Sequence, residues 1–371
     1  MPSSRYSSLL AVLVLVLCAM ATVHAEPYLA VREGLKCSAC HVNRTGQGKR
    51  NAFGVSFTQT KLPAIVTPAA QRGDIINRNI SEFLSVGADF RLVNTTALSV
   101  KKATPPAKTQ NTFLLFEGNV YGEVTLVKDR LTFYVDEQVA PDAAGNREIL
   151  GILRGLPNNA YVKVGRMFLP YGLRLWDFDA FIRSQTGLLG QDFGVEVGAE
   201  PGPVSLSAAV SNGEPFRSFD TNRGKQLTLS IAGVTPVVRV GGSFSVNTTD
   251  PTIAIARKAL TMGGPFVGLT GGPVTVLGEL DVVRRYVGTK YVTQKVVYGE
   301  ANILFTRGVS AKVAYDYFDP SGGPKLKRVR IGFEPFITQF IQPRLFYAVN
   351  RPHVLPGANG DQVTLELHML F

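Results

Sequence analysis

Cys37, Cys40 and His41 carry the most distinctive chemistry in the chain. They form Cys37-Ser38-Ala39-Cys40-His41, a C-x-x-C-H motif. Two thiols at this spacing can close thioether bonds onto the vinyl groups of one haem, and the histidine that follows is then held against the iron as its proximal ligand. One covalent haem c is the cofactor this predicts. A redox dithiol and half of a zinc site are the alternatives. Cys18, the third cysteine, lies in the N-terminal apolar run, so no second C-x-x-C completes a zinc site. No βαβ pattern surrounds the motif as a thioredoxin-type site needs.

The elements around the motif must deliver it and hold it. Residues 1–25 read as an export signal: Arg5 is the positive region, Leu9 to Ala21 the short apolar run and Val23-His24-Ala25 the cleavage site. Export suits covalent haem attachment, which takes place in the periplasm of bacteria. Residues 26–80 read as a small monohaem segment with eight basic residues against three acids. Arg44, Lys49 and Arg50 follow the motif closely and are candidates to meet haem propionates. The cationic balance suits an acidic partner, propionates or lipid phosphates. Nucleic acid is excluded as a partner by export.

From Ser81 to Phe371 the texture changes. Segments of about ten residues alternate apolar and polar side chains with period two, and no run is long enough for a membrane helix. Val120 to Leu126 sets Val120, Val124 and Leu126 against Tyr121, Glu123 and Thr125. Gln362 to Phe371 sets Val363, Leu365, Leu367, Met369 and Phe371 against Thr364, Glu366 and His368, with Leu370 the exception. The charged residues fall on the face that would line a lumen. This predicts an all-β fold: an outer-membrane barrel of about sixteen antiparallel strands, with its apolar face on lipid. Seven short turns alternate with eight longer loops, including one over 285–293. Both termini then fall on the periplasmic side, with the haem segment at that mouth or partly inside it. Glu117, Glu123, Asp136, Glu279, Asp281, Glu300, Lys163 and Arg344 are expected to keep the channel wet.

The haem segment has no second histidine and no methionine after His41. A distal ligand would come from the barrel, where His368 is the first candidate and Met167 an alternative. His353 lies on the last outer loop. Residues 170–189 form a long loop expected to fold inward and constrict the pore, with Asp177 and Asp179 able to offer oxygens to a divalent cation.

This order of parts resembles the fused monohaem cytochrome–porins of the bacterial outer membrane, known from iron-oxidising bacteria, over the whole mature chain. Their lead-in resembles P-x-F-A-R-Q-T-G-x-x-C-x-x-C-H. Pro27, Ala30, Gly34, Cys37, Cys40 and His41 match it in register, while Leu29, Val31, Arg32 and Glu33 depart. The resemblance implies an electron conduit. One haem would pass single electrons between an outside donor or acceptor, with Fe(II) the implied donor, and a periplasmic cytochrome or other soluble carrier. A diffusion porin with a haem-bearing plug or redox gate is one rival. A barrel sleeve for a separate multihaem cytochrome is another.

Overall fold

The computed structural model describes residues 27–370, apart from 99–108, 142–143, 176–179, 188–189, 216–218, 221–222, 249–259, 288–289 and 353–359. The expected signal segment, Asp177, Asp179 and His353 lie outside the described residues.

Sixteen strands close into one antiparallel barrel. The first half runs β1 (Leu84–Ala97), β2 (Gln110–Val127), β3 (Leu131–Ala140), β4 (Gly145–Leu156), β5 (Ala160–Phe168), β6 (Gln191–Ala199), β7 (Val204–Ser211) and β8 (Gln226–Val234). The second runs β9 (Val238–Asn247), β10 (Leu260–Gly271), β11 (Val274–Val287), β12 (Lys290–Thr306), β13 (Val309–Asp319), β14 (Leu326–Phe333), β15 (Ile341–Arg351) and β16 (Gln362–Leu370). Each strand pairs with its neighbours in sequence. β1 pairs with β16, with Arg91 opposite His368, so no edge is left unpaired.

Alternation decides which side chains meet lipid. Val313, Tyr315, Val329, Ile331 and Leu365 are exposed outside. Their neighbours Lys312, Asp316, Arg328, Arg330 and Glu366 are buried inside. An apolar outer wall on a closed sheet is the arrangement a bilayer requires, because every strand amide finds its partner within the sheet. The chain is thus an outer-membrane β-barrel. One loop differs from expectation. The stretch 285–293 is mostly strand, and Tyr286 packs edge to face on Tyr291, directly opposite it, with ring centroids 5.2 Å apart. Arg284, Arg285 and Lys290 make the segment read as a loop, but strands that extend past the bilayer are free to be polar.

Among the described residues, the N-terminal segment and one loop enter the lumen. Residues 27–80 form a plug of short helices: α1 (Pro27–Arg32), α2 (Cys37–Cys40), α3 (Ala52–Thr60) and α4 (Pro68–Gln71). The inward loop after β5 carries a fifth, α5 (Phe181–Ser184). Tyr28, Leu29 and Val31 of α1 pack with Leu173, Leu175 and Ile182 of the inward loop and with Phe266, Leu277 and Tyr298 of the wall. Each such apolar side chain contributes about 1.5–3 kcal/mol when fully buried. The half of the lumen beside β10 to β13 is therefore an apolar core.

The expectation of a wet channel fails among these residues. Lys163, Asp136 and Asp281 are 0% exposed, and Glu117, Glu279, Glu300 and Arg344 are also buried. The plug and the inward loop cover them, and they are paired. Leu173 N–H donates to Glu279 at 2.8 Å, Tyr171 O–H to Asp281 at 2.7 Å, and Phe181 N–H to Asp316 at 2.9 Å.

Val313 sits mid-strand on the lipid face of β13. Val313→Arg is expected to cost about 2–4 kcal/mol, read as a lower urea midpoint for the barrel in liposomes. The same cost from a neutral polar residue would point to packing rather than lipid exposure.

Candidate functional site

The segment around Cys37 is built for rigidity. Helix α1 ends in a Schellman motif: Leu35 N–H bonds to Ala30 C=O at 2.8 Å and Gly34 N–H to Val31 C=O at 3.1 Å. Gly34 supplies the left-handed backbone this needs, at φ +62°. A side chain there would also meet Pro236 Cα at 2.6 Å. The next turn is α2, the C-x-x-C itself, and His41 N–H closes it on Cys37 C=O at 3.1 Å.

Asn51 ties the following loop back to the motif. Its side-chain oxygen caps α3 by accepting from Gly54 N–H at 2.9 Å. Its amide donates to the carbonyls of Ala39 at 3.0 Å and Ser38 at 3.2 Å. The loop 42–50 leaves and returns between these anchors, with His41 bridged to Arg50 across its base. Gly54 lets α3 approach, since a Cβ there would lie 2.2 Å from Cys40 O.

The barrel grips this unit on two levels. At the short-turn end, Lys36 Nζ donates to the carbonyls of Gly202 at 2.8 Å and Val204 at 2.7 Å. Glu200 accepts from Ser38 Oγ at 2.7 Å and pairs with Arg44 at 3.1 Å. Ala64 and Ile65 N–H bond to Phe336 and Ile337 C=O, joining the plug to the β14–β15 turn. Deeper in the lumen, Asn43 donates to both oxygens of Glu148 at 3.0 Å. Lys163 Nζ donates to Asn43 Oδ1 at 2.9 Å and pairs with Glu196 at 2.8 Å. Gln47 exchanges hydrogen bonds with Arg174 of the inward loop.

Between plug, wall and inward loop lies a cavity. Cys37, Cys40 and His41 line one side, with Leu29, Leu35, Phe57, Leu62 and Leu173 as its apolar surface. Arg50, Arg78, Arg91, Arg147, Asp89 and Tyr121 form its polar side. The His41 ring is half-buried and faces the backbone of Gln47 and Gly48. Burial, then the nearby Arg50 charge, lowers its pKa to about 3, so the imidazole is neutral and able to ligate a metal. Burial pushes the Cys40 thiol up to about 11.

The other predicted residues separate. Arg50 lines the cavity. Lys49 also lines it, but its ammonium pairs with Glu123 at 2.9 Å. Arg44 does not reach the cavity: it points to Glu200 and Asn159 because its turn docks on the short-turn rim. His368 is one layer behind, its Nε2 bonded to Asp89. Met167 packs with Val42, Tyr121, Tyr134, Leu150 and Ile152 and lines no part of the cavity. Sequence reading missed Asn51, Arg78, Asp89, Arg91 and Arg147. Inward alternation marks the three wall residues as lumen-facing, but nothing local says that they converge on the motif.

No protein-family model and no curated protein matches the sequence. Solved structures do match. The outer membrane channel DcaP of Acinetobacter baumannii aligns with TM-score 0.58 at 12% identity, over 80% of this chain and 100% of that one. The fold is that of the outer-membrane porins. An anion-selective porin from Comamonas acidovorans aligns at TM-score 0.56 and 11% identity, over 78% of this chain and 100% of that one. OmpF of Salmonella typhi, in complex with daunomycin, gives 0.56 and 9%, over 78% and 97%. At these identities the likeness is one of fold.

Asn51→Ala removes a cap and frees two carbonyls, at a cost of about 1–2 kcal/mol. Amide exchange in residues 37–60 should speed up while exchange in the barrel strands stays unchanged. Equal exchange in both regions would show that the plug draws no stability from Asn51.

Proposed function

We propose that this chain is a plugged outer-membrane electron-transfer protein. It carries one c-type haem, linked to Cys37 and Cys40 and ligated by His41, in the cavity between plug and barrel wall. The observation that carries the reading is the meeting of those three residues on one side of an amphipathic cavity. Two thiols, a neutral imidazole, an apolar surface and a cationic side are what a haem with its carboxylate arms requires. When bound, the haem supplies a one-electron couple.

The protein's own residues do the rest. Asn51 and Glu200 hold the C-x-x-C-H turn rigid. Leu29, Leu35, Phe57, Leu62 and Leu173 exclude water from the cavity, which limits reorganisation around a changing charge. Neither His368 nor Met167 lines the cavity. A neighbouring groove at the short-turn mouth shares Leu29, Glu33, Leu35, Phe57 and Leu62 with the cavity, and Phe53, Lys61 and Arg307 help to line it. That groove gives a soluble periplasmic carrier its nearest approach. The resemblance to the fused cytochrome–porins adds an outside donor, with Fe(II) as the first to try.

A redox-gated porin is the second reading. It is favoured by the porin fold and by the polar, separable contacts between the 42–50 loop and the wall.

Proteoliposomes distinguish the two. With an oxidised dye inside and an impermeant reductant outside, the wild type should bleach the dye and His41→Ala should not, with no ionic conductance in either redox state. Conductance that opens on reduction would replace the conduit by the gate. Absence of both would remove both readings.

A further inference from the structure

The outer wall changes character toward the long-loop end of β11 to β15. Lower down it is apolar: Leu280, Val313, Val329, Ile331 and Leu345 are exposed to lipid. Above them, the same outward alternation brings four cations to the surface: Arg284 of β11, Lys295 of β12, Lys327 of β14 and Arg351 of β15, all exposed. Strand register sets them side by side. Lys327 has Tyr317 of β13 opposite it on one side and Arg351 on the other. Lys295 is opposite Asp319, two residues beyond Tyr317 on the same face, and Arg284 is opposite Thr293, two residues beyond Lys295. Strands about 5 Å apart, with same-face neighbours about 7 Å apart along each, set the Lys295 and Lys327 backbones about 12 Å from one another.

The acids of this patch are already engaged. Asp319 pairs with Lys325 at 3.0 Å, and Asp361 with Arg351 at 2.8 Å. Among the described residues, Lys295 and Lys327 have no ion pair, and Arg284 lies over the Tyr291 ring at 4.6 Å. Tyr291, Tyr315 and Tyr347 are exposed on the same outward face, and such aromatics mark the level where the apolar band meets headgroups. The patch is one-sided: the outward positions of β1, β2, β7 and β9 hold no charged residue. Cations here face away from the lumen, so they serve neither plug nor cavity.

We infer that Arg284, Lys295 and Lys327 form a binding site for the phosphates of an outer-leaflet glycolipid, with its acyl chains against the apolar wall below. Long-loop ends of the strands lie at the outer leaflet, because the plug and the short turns are periplasmic. Basic residues beside an anionic headgroup attract it, and their long stems cover apolar surface while the charge stays at the headgroup level. The spacing of Lys295 and Lys327 suits a disaccharide headgroup with a phosphate at each end. The site is independent of what the central cavity holds.

The test is native mass spectrometry of the purified full chain in detergent, titrated with diphosphorylated lipid A. The wild type should retain the lipid, and Lys295→Gln with Lys327→Gln should bind it about tenfold more weakly. Lys128→Gln with Arg130→Gln removes the same charge from the β2–β3 turn at the other end of the barrel, and should leave binding unchanged. Lipid A stripped of both phosphates should bind the wild type weakly. An equal loss in both double variants would reveal a general charge effect and overturn the site. Equal binding of the stripped lipid would assign the adhesion to acyl chains and overturn it too. Release of the lipid by inorganic phosphate would make this a free-phosphate site and overturn the lipid assignment. If the Lys295 and Lys327 double variant fails to give the compact barrel band on unheated gels, Lys295→Gln alone decides: a smaller fall in binding supports the site and no change overturns it.

Discussion

A barrel of sixteen strands encloses more space than its own inward side chains can fill. That constraint governs the rest of the structure. The strands put charges inside because lipid forbids them outside, and those charges must then meet either water or partners. Here they meet partners. The plug and the inward loop enter the lumen and bring amides and hydroxyls to Glu148, Lys163, Glu279, Asp281 and Asp316. The apolar α1 and the inward loop fill the remaining half of the lumen. Plug and wall are therefore not independent, since each satisfies groups the other would leave buried and unpaired.

The same economy places the C-x-x-C-H turn. It is not fixed by a core of its own, which a segment this short could not supply. It is fixed by Asn51 from within and by the carbonyls and carboxylate of the β6–β7 turn from without. The cavity beside it is what remains once plug, wall and loop have met. Its division into apolar and cationic sides follows from the division of the lumen itself. Several of the lumen charges are used to hold the plug in place.

Much of this was legible in the sequence. Period-two alternation gave the strands, and turn residues gave the loops, because the inside–outside contrast of a membrane barrel is written residue by residue. The 285–293 stretch was misread because polarity there reflects height above the bilayer, not chain conformation. The C-x-x-C-H motif stands out in the sequence. Its surroundings do not: Arg78, Arg91 and Arg147 come from an entry segment and two strands, and only barrel closure brings them to one place. Arg44 and Arg50 are near equivalents in sequence yet part company in space. One side of the 42–50 loop faces the short-turn rim and the other faces the cavity. His368 was rightly placed inside the barrel, and its register opposite Arg91 sets it behind Asp89.

The central claim is that Cys37 and Cys40 hold a haem inside this lumen. The most direct measurement is the intact mass of the mature chain, isolated from outer membranes and denatured. The account predicts a mass heavier than the polypeptide by one haem, returning to the bare polypeptide when Cys37 and Cys40 are both replaced by alanine. A native chain at the polypeptide mass, or lighter by the two hydrogens of a disulfide, would contradict it.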